Sequence, residues 1–200
     1  MKQIQTAFYV KEDVLNIARS LIGMKLMTNI GGRLTGGIIA ETEAYAGVHD
    51  KASHAYGGRK TVRTEVMYRE GGIAYVYFSY GMHHLFNVVT AGAGIPHAVL
   101  IRGIIPQVGV DWQLKRRKQE MIRPQLVNGP AKLCQALGIT LQQNTISLLG
   151  DSVWIEQGEK INIADIITCR RVGVDYAGKD ALLPYRFVLK HDSYRTAKIN

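Results

Sequence analysis

The residues best suited to chemistry are two carboxylates in the run Glu41-Thr42-Glu43-Ala44-Tyr45. On a β-strand the two-residue period puts Glu41 and Glu43 on one face. A carboxylate pair so placed suits acid/base hydrolysis of a glycosidic bond, although an exposed edge strand carries such pairs without any chemistry. The residues that follow are unevenly distributed. Six of the ten tyrosines lie between Tyr45 and Tyr80, and five of the six histidines between His49 and His97. Composition alone would not crowd polar aromatics in this way, so a site is expected between Gly36 and Arg102. Arg102 ends an apolar run, where a charged group emerging from the interior usually pairs with a carboxylate such as Glu43. Arg59 and Arg63 lie on a Gly-rich loop and are candidate phosphate contacts. His49, Asp50, His54, His83 and His84 have no accepted zinc spacing with cysteine or carboxylate support, so no metal is expected. No phosphate-binding loop, dinucleotide fingerprint or Ser/Cys nucleophile motif stands out, and no cofactor is expected.

The elements that must position these residues are legible from periodicity. Val14, Ile17, Ala18 and Leu21 have helical spacing before Gly23, which predicts a helix near 11–22. Residues 25–30 and 34–42 read as strands joined by Gly31-Gly32. Residues 46–72 are polar and rich in Gly, Arg and His, too long for a passive turn. Residues 72–78 alternate, with Tyr75 and Tyr77 on one face; Tyr80-Gly81 breaks the pattern and 85–90 resumes it, as in a hairpin with an aromatic near its tip. Asn87 sits between Leu85 and Val89 on that second strand, the usual setting of a hydrogen-bonded core group. A strand over 97–101 and a basic helix over 111–123 follow. The helix carries Lys115, Arg116, Arg117 and Lys118, read first as a solvated face and second as a phosphate contact. Asn128-Gly129-Pro130 opens a short helix closed by Gly138, and 145–189 is strand-rich.

With 200 residues, one domain is the economical reading; 46% hydrophobic and 20% charged residues are ordinary for a globular protein. Twenty-five Lys and Arg against 16 Asp and Glu give +9, which favours a polyanionic partner. The two cysteines fit neither a disulfide framework nor a metal site, and no 18-residue apolar run occurs. A cytoplasmic protein with no membrane contact is expected.

Several runs together resemble the alkyladenine (3-methyladenine) DNA glycosylases of the mammalian type. They are ETEAY at 41–45, SHAYGGR at 53–59, YVYFSYGM at 75–82, GPAKLCQALGI at 129–139, RRVGV at 170–174 and PYRFV at 184–188. The resemblance implies an α+β fold, one mixed domain around a curved, mainly antiparallel sheet with flanking helices. It implies a monomeric base-excision repair enzyme acting on double-stranded DNA. That enzyme would hydrolyse the N-glycosidic bond of alkylated or deaminated purines and leave an abasic site. In that likeness Glu43 is the general base for a water, Arg102 and the backbone carbonyl of Val172 help hold the water, and Glu41 is structural. Tyr45, His54 and Tyr77 form the pocket for a flipped base, whose positive charge when methylated favours electron-rich rings. Asn87 forms the pocket floor. Tyr80 fills the gap in the duplex, flanked by Met82 and His83. No lysine matches a catalytic position, which implies direct attack by water. Two rivals remain. One is a non-catalytic nucleic-acid-binding module with a minor-groove wedge, which has no use for a buried carboxylate. The other is a carbohydrate hydrolase, disfavoured by the basic charge and by tryptophan limited to Trp112 and Trp154.

Overall fold

A computed structural model describes residues 2–79, 81–123, 126–158, 160–192 and 194. Its spine is the strand β2, Arg33–Tyr45, buried continuously from Thr35 to Ala44. Continuous burial means that both faces are covered, which suits the run Gly36-Gly37-Ile38-Ile39-Ala40. On one face Thr42 donates its hydroxyl proton to the Ala18 carbonyl at 2.8 Å. That carbonyl belongs to helix α2, Val14–Ser20, which follows a one-turn helix α1, Thr6–Tyr9. Glu41 and Glu43 occupy the opposite face.

Among the described residues eight strands form one curved, antiparallel sheet, an α+β architecture as expected. Strand β1, Lys25–Ile30, pairs with the first half of β2, and β8, Arg186–Leu189, takes the same edge beside Glu41–Glu43. The other edge carries β5, His97–Val108, and beyond it the hairpin of β3, Ala74–Ser79, and β4, His83–Thr90. Strands β6, Val153–Glu156, and β7, Ile166–Cys169, extend the sheet from β1 and β8. Helices α3, Val110–Arg117, and α4, Pro130–Leu137, lie against each other and against the sheet. None of the described helices is long and apolar enough to cross a membrane.

Several boundaries differ from expectation for physical reasons. Strand β5 continues past Ile101 because Arg102 sits on a bulge. Gly103 pairs with Glu41 and Ile101 with Thr42, so Arg102 is passed over and Ala40 likewise on β2. A bulge re-aims a side chain without ending the strand. The basic helix stops at Arg117, not 123. Its arginines are turned inward: Arg116 donates to the Ala136 carbonyl at 3.1 Å and Arg117 to the Leu126 carbonyl at 3.0 Å. They fasten α3 to the end of α4 and to the segment before it, while Lys115 and Lys118 remain exposed, so the solvated reading holds for the lysines only. Helix α1 has four residues, too few to show a period.

Gly103 closes the packing behind the two carboxylates. A Cβ there would stand 1.9 Å from the Tyr194 hydroxyl oxygen, so Gly103→Ala must push Tyr194 aside. We expect the substitution to cost about 1–3 kcal/mol of stability and to lower the thermal midpoint measured by circular dichroism. An unchanged midpoint would mean that Tyr194 is not seated there.

Candidate active site

The centre of the site is built on the β2–β5 bulge. From it Arg102 donates through Nε to Glu41 Oε1 at 2.7 Å and through Nη1 to Glu43 Oε2 at 3.4 Å. Arg186, from β8, donates through Nε to the same Glu41 oxygen at 2.7 Å, and Tyr194 donates its hydroxyl proton to Glu41 Oε2 at 2.5 Å. Burial alone would raise the Glu41 pKa, but Arg102, Arg186 and Tyr194 outweigh it and hold the carboxyl below its ordinary range. The same carboxylates, Glu43 before Glu41, overcome burial at Arg102 and push its pKa further up. Glu43 is fully buried and accepts from the Tyr45 hydroxyl at 2.9 Å and from the Val172 amide at 2.7 Å. Oε1 accepts from the Val172 amide, and a carboxylate oxygen has a second lone pair that can accept from a water.

A cavity of about 260 Å³ opens in front of this centre. That is just below the roughly 300–1,000 Å³ typical of drug-sized ligands, and suits one small flat molecule. Glu43 does not line it; Tyr45, Arg102 and Val172 stand between. The expected ligand-facing carboxylate is thus one layer back. The walls are aromatic: the His54 ring stands edge-on to Tyr77 at 4.8 Å, and Tyr77 lies 5.4 Å from Tyr75. Asn87 lines the cavity too, with Nδ2 donating to the Tyr75 carbonyl across the β3–β4 pair at 3.1 Å. It is both an anchored core group and a pocket residue.

His54 is held neutral. Burial, then Arg63 and Arg59, push its pKa down to about 4. Its Nε2 lies 3.3 Å from Arg63 Nη2, and its Nδ1 lies 2.8 Å from the Tyr75 hydroxyl. Guanidinium groups only donate, so Nε2 accepts and the single ring proton sits on Nδ1.

The structure brings together Glu43, Arg102, Val172, Tyr45, His54, Tyr77 and Asn87. Val172 reaches Glu43 through its amide; the expected role of its carbonyl toward a water is a separate matter. Arg63, expected on phosphate, has its guanidinium 4.5 Å from the Tyr77 ring centroid and lines the cavity. Tyr80 lies outside the described residues; its neighbours Met82 and His83 are exposed on the turn, and Arg59 is exposed on its loop.

Sequence reasoning missed Tyr75, although its alternation with Tyr77 was the signal. It also missed the brace behind Val172. Arg171 donates to both Asp50 oxygens, at 2.5 and 2.9 Å, and to the carbonyls of Ala44 and Asp180. Its guanidinium lies over the Tyr45 and Tyr185 rings. Asp50 in turn accepts from the amides of Ala46 and Ala52, which folds the start of the long loop. Nothing local in the sequence pairs residues 121 apart.

A buried, arginine-held carboxylate behind an aromatic cavity is an arrangement that could hold a flat molecule near an acid/base group. Residues 7–193 match the family described as Methylpurine-DNA glycosylase (MPG). The chain belongs to that family, whose members are DNA glycosylases of base excision repair. It is 51% identical over 184 residues to a Chlamydia felis protein provisionally named 3-methyladenine DNA glycosylase, covering 92% of this chain and 94% of that one. Proteins of the same provisional name from Bacillus cytotoxicus and Clostridium acetobutylicum are 43% and 41% identical. The matches cover 93% and 91% of this chain, and 96% and 92% of the relatives. These relatives are bacterial, so the comparison shows the family but does not support the mammalian subtype that the motifs suggested.

His54 should therefore titrate near pH 4 and not near 6.5. Its folded pKa lies below the unfolded value, so the unfolded chain binds the proton first and stability falls as pH drops from about 6.5 toward 4. Ring-nitrogen chemical shifts followed by NMR from pH 8 to 4 check this. A midpoint between 6 and 7 would place Arg63 away from the ring.

Proposed function

We propose that this protein releases damaged purines from double-stranded DNA by hydrolysing the N-glycosidic bond of a nucleotide flipped into the aromatic cavity. The observation that carries the reading is Glu43, held by Tyr45, Arg102 and the Val172 amide at the back of a cavity sized for one base. A module that only bound nucleic acid would gain nothing from a fully buried carboxylate, which is costly to desolvate.

In this reading the base stacks among Tyr45, His54 and Tyr77, and its sugar carbon C1′ faces the carboxylate. Glu43 accepts a proton from a water as the oxygen bonds to C1′ and the bond from C1′ to the base nitrogen breaks. The free base and an abasic sugar are the products. A purine methylated to a cation leaves as a neutral molecule; hypoxanthine needs a proton to do so. The 3-methyladenine, hypoxanthine, ethenoadenine and 7-methylguanine class is proposed on the family likeness together with the pocket. Val172 and Tyr176 line the cavity yet are 40% and 70% exposed, which suits a mouth that DNA covers. The net charge of +9 favours the same partner. Tyr80, which follows β3 in the sequence, is proposed as the group that replaces the flipped nucleotide in the stack.

Glu43→Gln is expected to lower single-turnover excision by about 10²–10⁴-fold or more, while lesion-DNA affinity stays near wild type. Arg102 keeps Glu41 as a counter-charge, so the variant should fold, which a thermal melt checks. Wild-type turnover in a folded variant would remove Glu43 from the chemistry.

Asn87 is proposed as the group that excludes guanine, whose N2 amino group would meet the pocket floor. Asn87→Ser should then gain excision of guanine mispaired with thymine while hypoxanthine excision continues. Loss of all activity with no gain on guanine would leave Asn87 as a strand anchor only.

A further inference from the structure

Arg63 is exposed, yet its guanidinium is turned onto the wall of the cavity. Its backbone is pinned by neighbours: Thr61 and Thr64 exchange amide-to-hydroxyl hydrogen bonds at 2.9 and 3.3 Å, and Glu65 donates its amide to the Thr61 carbonyl at 2.8 Å. From that fixed turn the side chain reaches inward. The guanidinium lies over the Tyr77 ring at 4.5 Å and donates to His54 Nε2 at 3.3 Å. Among the described residues no carboxylate lies within ion-pair distance of Arg63, whereas Arg102, Arg171 and Arg186 all have one. The cavity is thus edged by a cation whose partners are the Tyr77 face, the neutral His54 ring nitrogen and the Tyr75 hydroxyl.

That placement changes the electrostatics expected of the pocket. Tyrosine faces attract a methylated, positively charged purine, but on Tyr77 a cation is already in position. A second positive charge entering the cavity meets Arg63 with no local carboxylate beside it, Glu43 being already paired to Arg102. A neutral purine with acceptors on its six-position and N7 edge meets a donor fork. A guanidinium forms two parallel hydrogen bonds to O6 and N7 of such a base. Methylation at N7 removes one of these acceptors and adds charge.

We propose that Arg63 sets the substrate preference of this pocket, favouring neutral purines with an O6/N7 acceptor edge, such as hypoxanthine, over purines made cationic by methylation. The proposal rests on the glycosylase reading above and adds to it a specificity-determining residue.

The test is single-turnover excision by wild type, Arg63→Ala and Arg63→Lys. The substrates are duplexes carrying hypoxanthine opposite thymine and 7-methylguanine opposite cytosine, each at three salt concentrations. The expected result for Arg63→Ala is a fall of roughly ten- to a hundredfold, the worth of one bidentate pair, in the ratio of hypoxanthine excision to 7-methylguanine excision, with the loss on the hypoxanthine side. Arg63→Lys, which keeps the charge but not the fork, should remain slow on 7-methylguanine and lose on hypoxanthine. An equal loss on both substrates in Arg63→Ala, with the salt dependence of binding shallower by about one charge, would overturn the proposal and return Arg63 to the phosphates. Unchanged rates on both would overturn it as well. A wild type that releases no base from either duplex would overturn the underlying glycosylase reading and this inference with it.

Discussion

The ion pair that everything else in this structure accommodates is Arg102 with Glu41 and Glu43. Two carboxylates at alternate positions of a buried strand cannot both stay charged without cations beside them, because desolvating an isolated charge is prohibitive. Arg102 meets both, and the bulge that carries it brings its guanidinium to the carboxylate face of β2. Arg186 and Tyr194 complete the coordination of Glu41. Glu41 is held by two guanidinium groups and a tyrosine hydroxyl, whereas Glu43 shares Arg102 and takes its other donors from the neutral Tyr45 hydroxyl and Val172 amide. Two glutamates of one type, two residues apart, are thus set in different charge surroundings.

A second layer of constraint holds Glu43 from the other side. The Val172 amide that donates to it belongs to a loop braced by Arg171, whose guanidinium is spent on Asp50 and on two backbone carbonyls. Asp50 also folds the first turn of the loop that carries His54. Through these bonds the wall of the cavity and the carboxylate behind it are fixed by one connected set of polar contacts. Such a network restrains the groups it joins, although Arg171 Nε is buried without a hydrogen-bond partner among the described residues.

The chemistry-bearing region was legible from the residues themselves. Tyrosines and histidines crowded between positions 45 and 97 mark it. Alternation along 72–78 assigned Tyr75 and Tyr77 to one face, and the helix signals around α2 and α4 were local, a period and a stopping glycine in one, an early proline and a closing glycine in the other. These features depend only on neighbours in the chain, so they survive without knowledge of the fold. The family motifs placed Glu43, Tyr45, His54, Tyr77, Asn87 and Arg102 together, and the structure does bring them together.

What the chain alone left open was decided by contacts between distant segments. The extension of β5 through Arg102 depends on register with β2, since a bulge exists only relative to a partner strand. The inward turn of Arg116 and Arg117 depends on the end of α4 lying within reach, so half of a run that reads as solvated becomes a fastening while Lys115 and Lys118 stay exposed. Asp50 with Arg171 and Glu41 with Tyr194 join residues more than a hundred positions apart, which no local pattern encodes. Arg63 is the sharpest case. By type and by loop it reads as a surface cation, and exposed it is, but its guanidinium meets Tyr77 and His54 at the cavity wall. Residue type and period determined which groups were available; the sheet and its long loop determined which of them face each other, because burial and charge pairing are properties of three-dimensional neighbours.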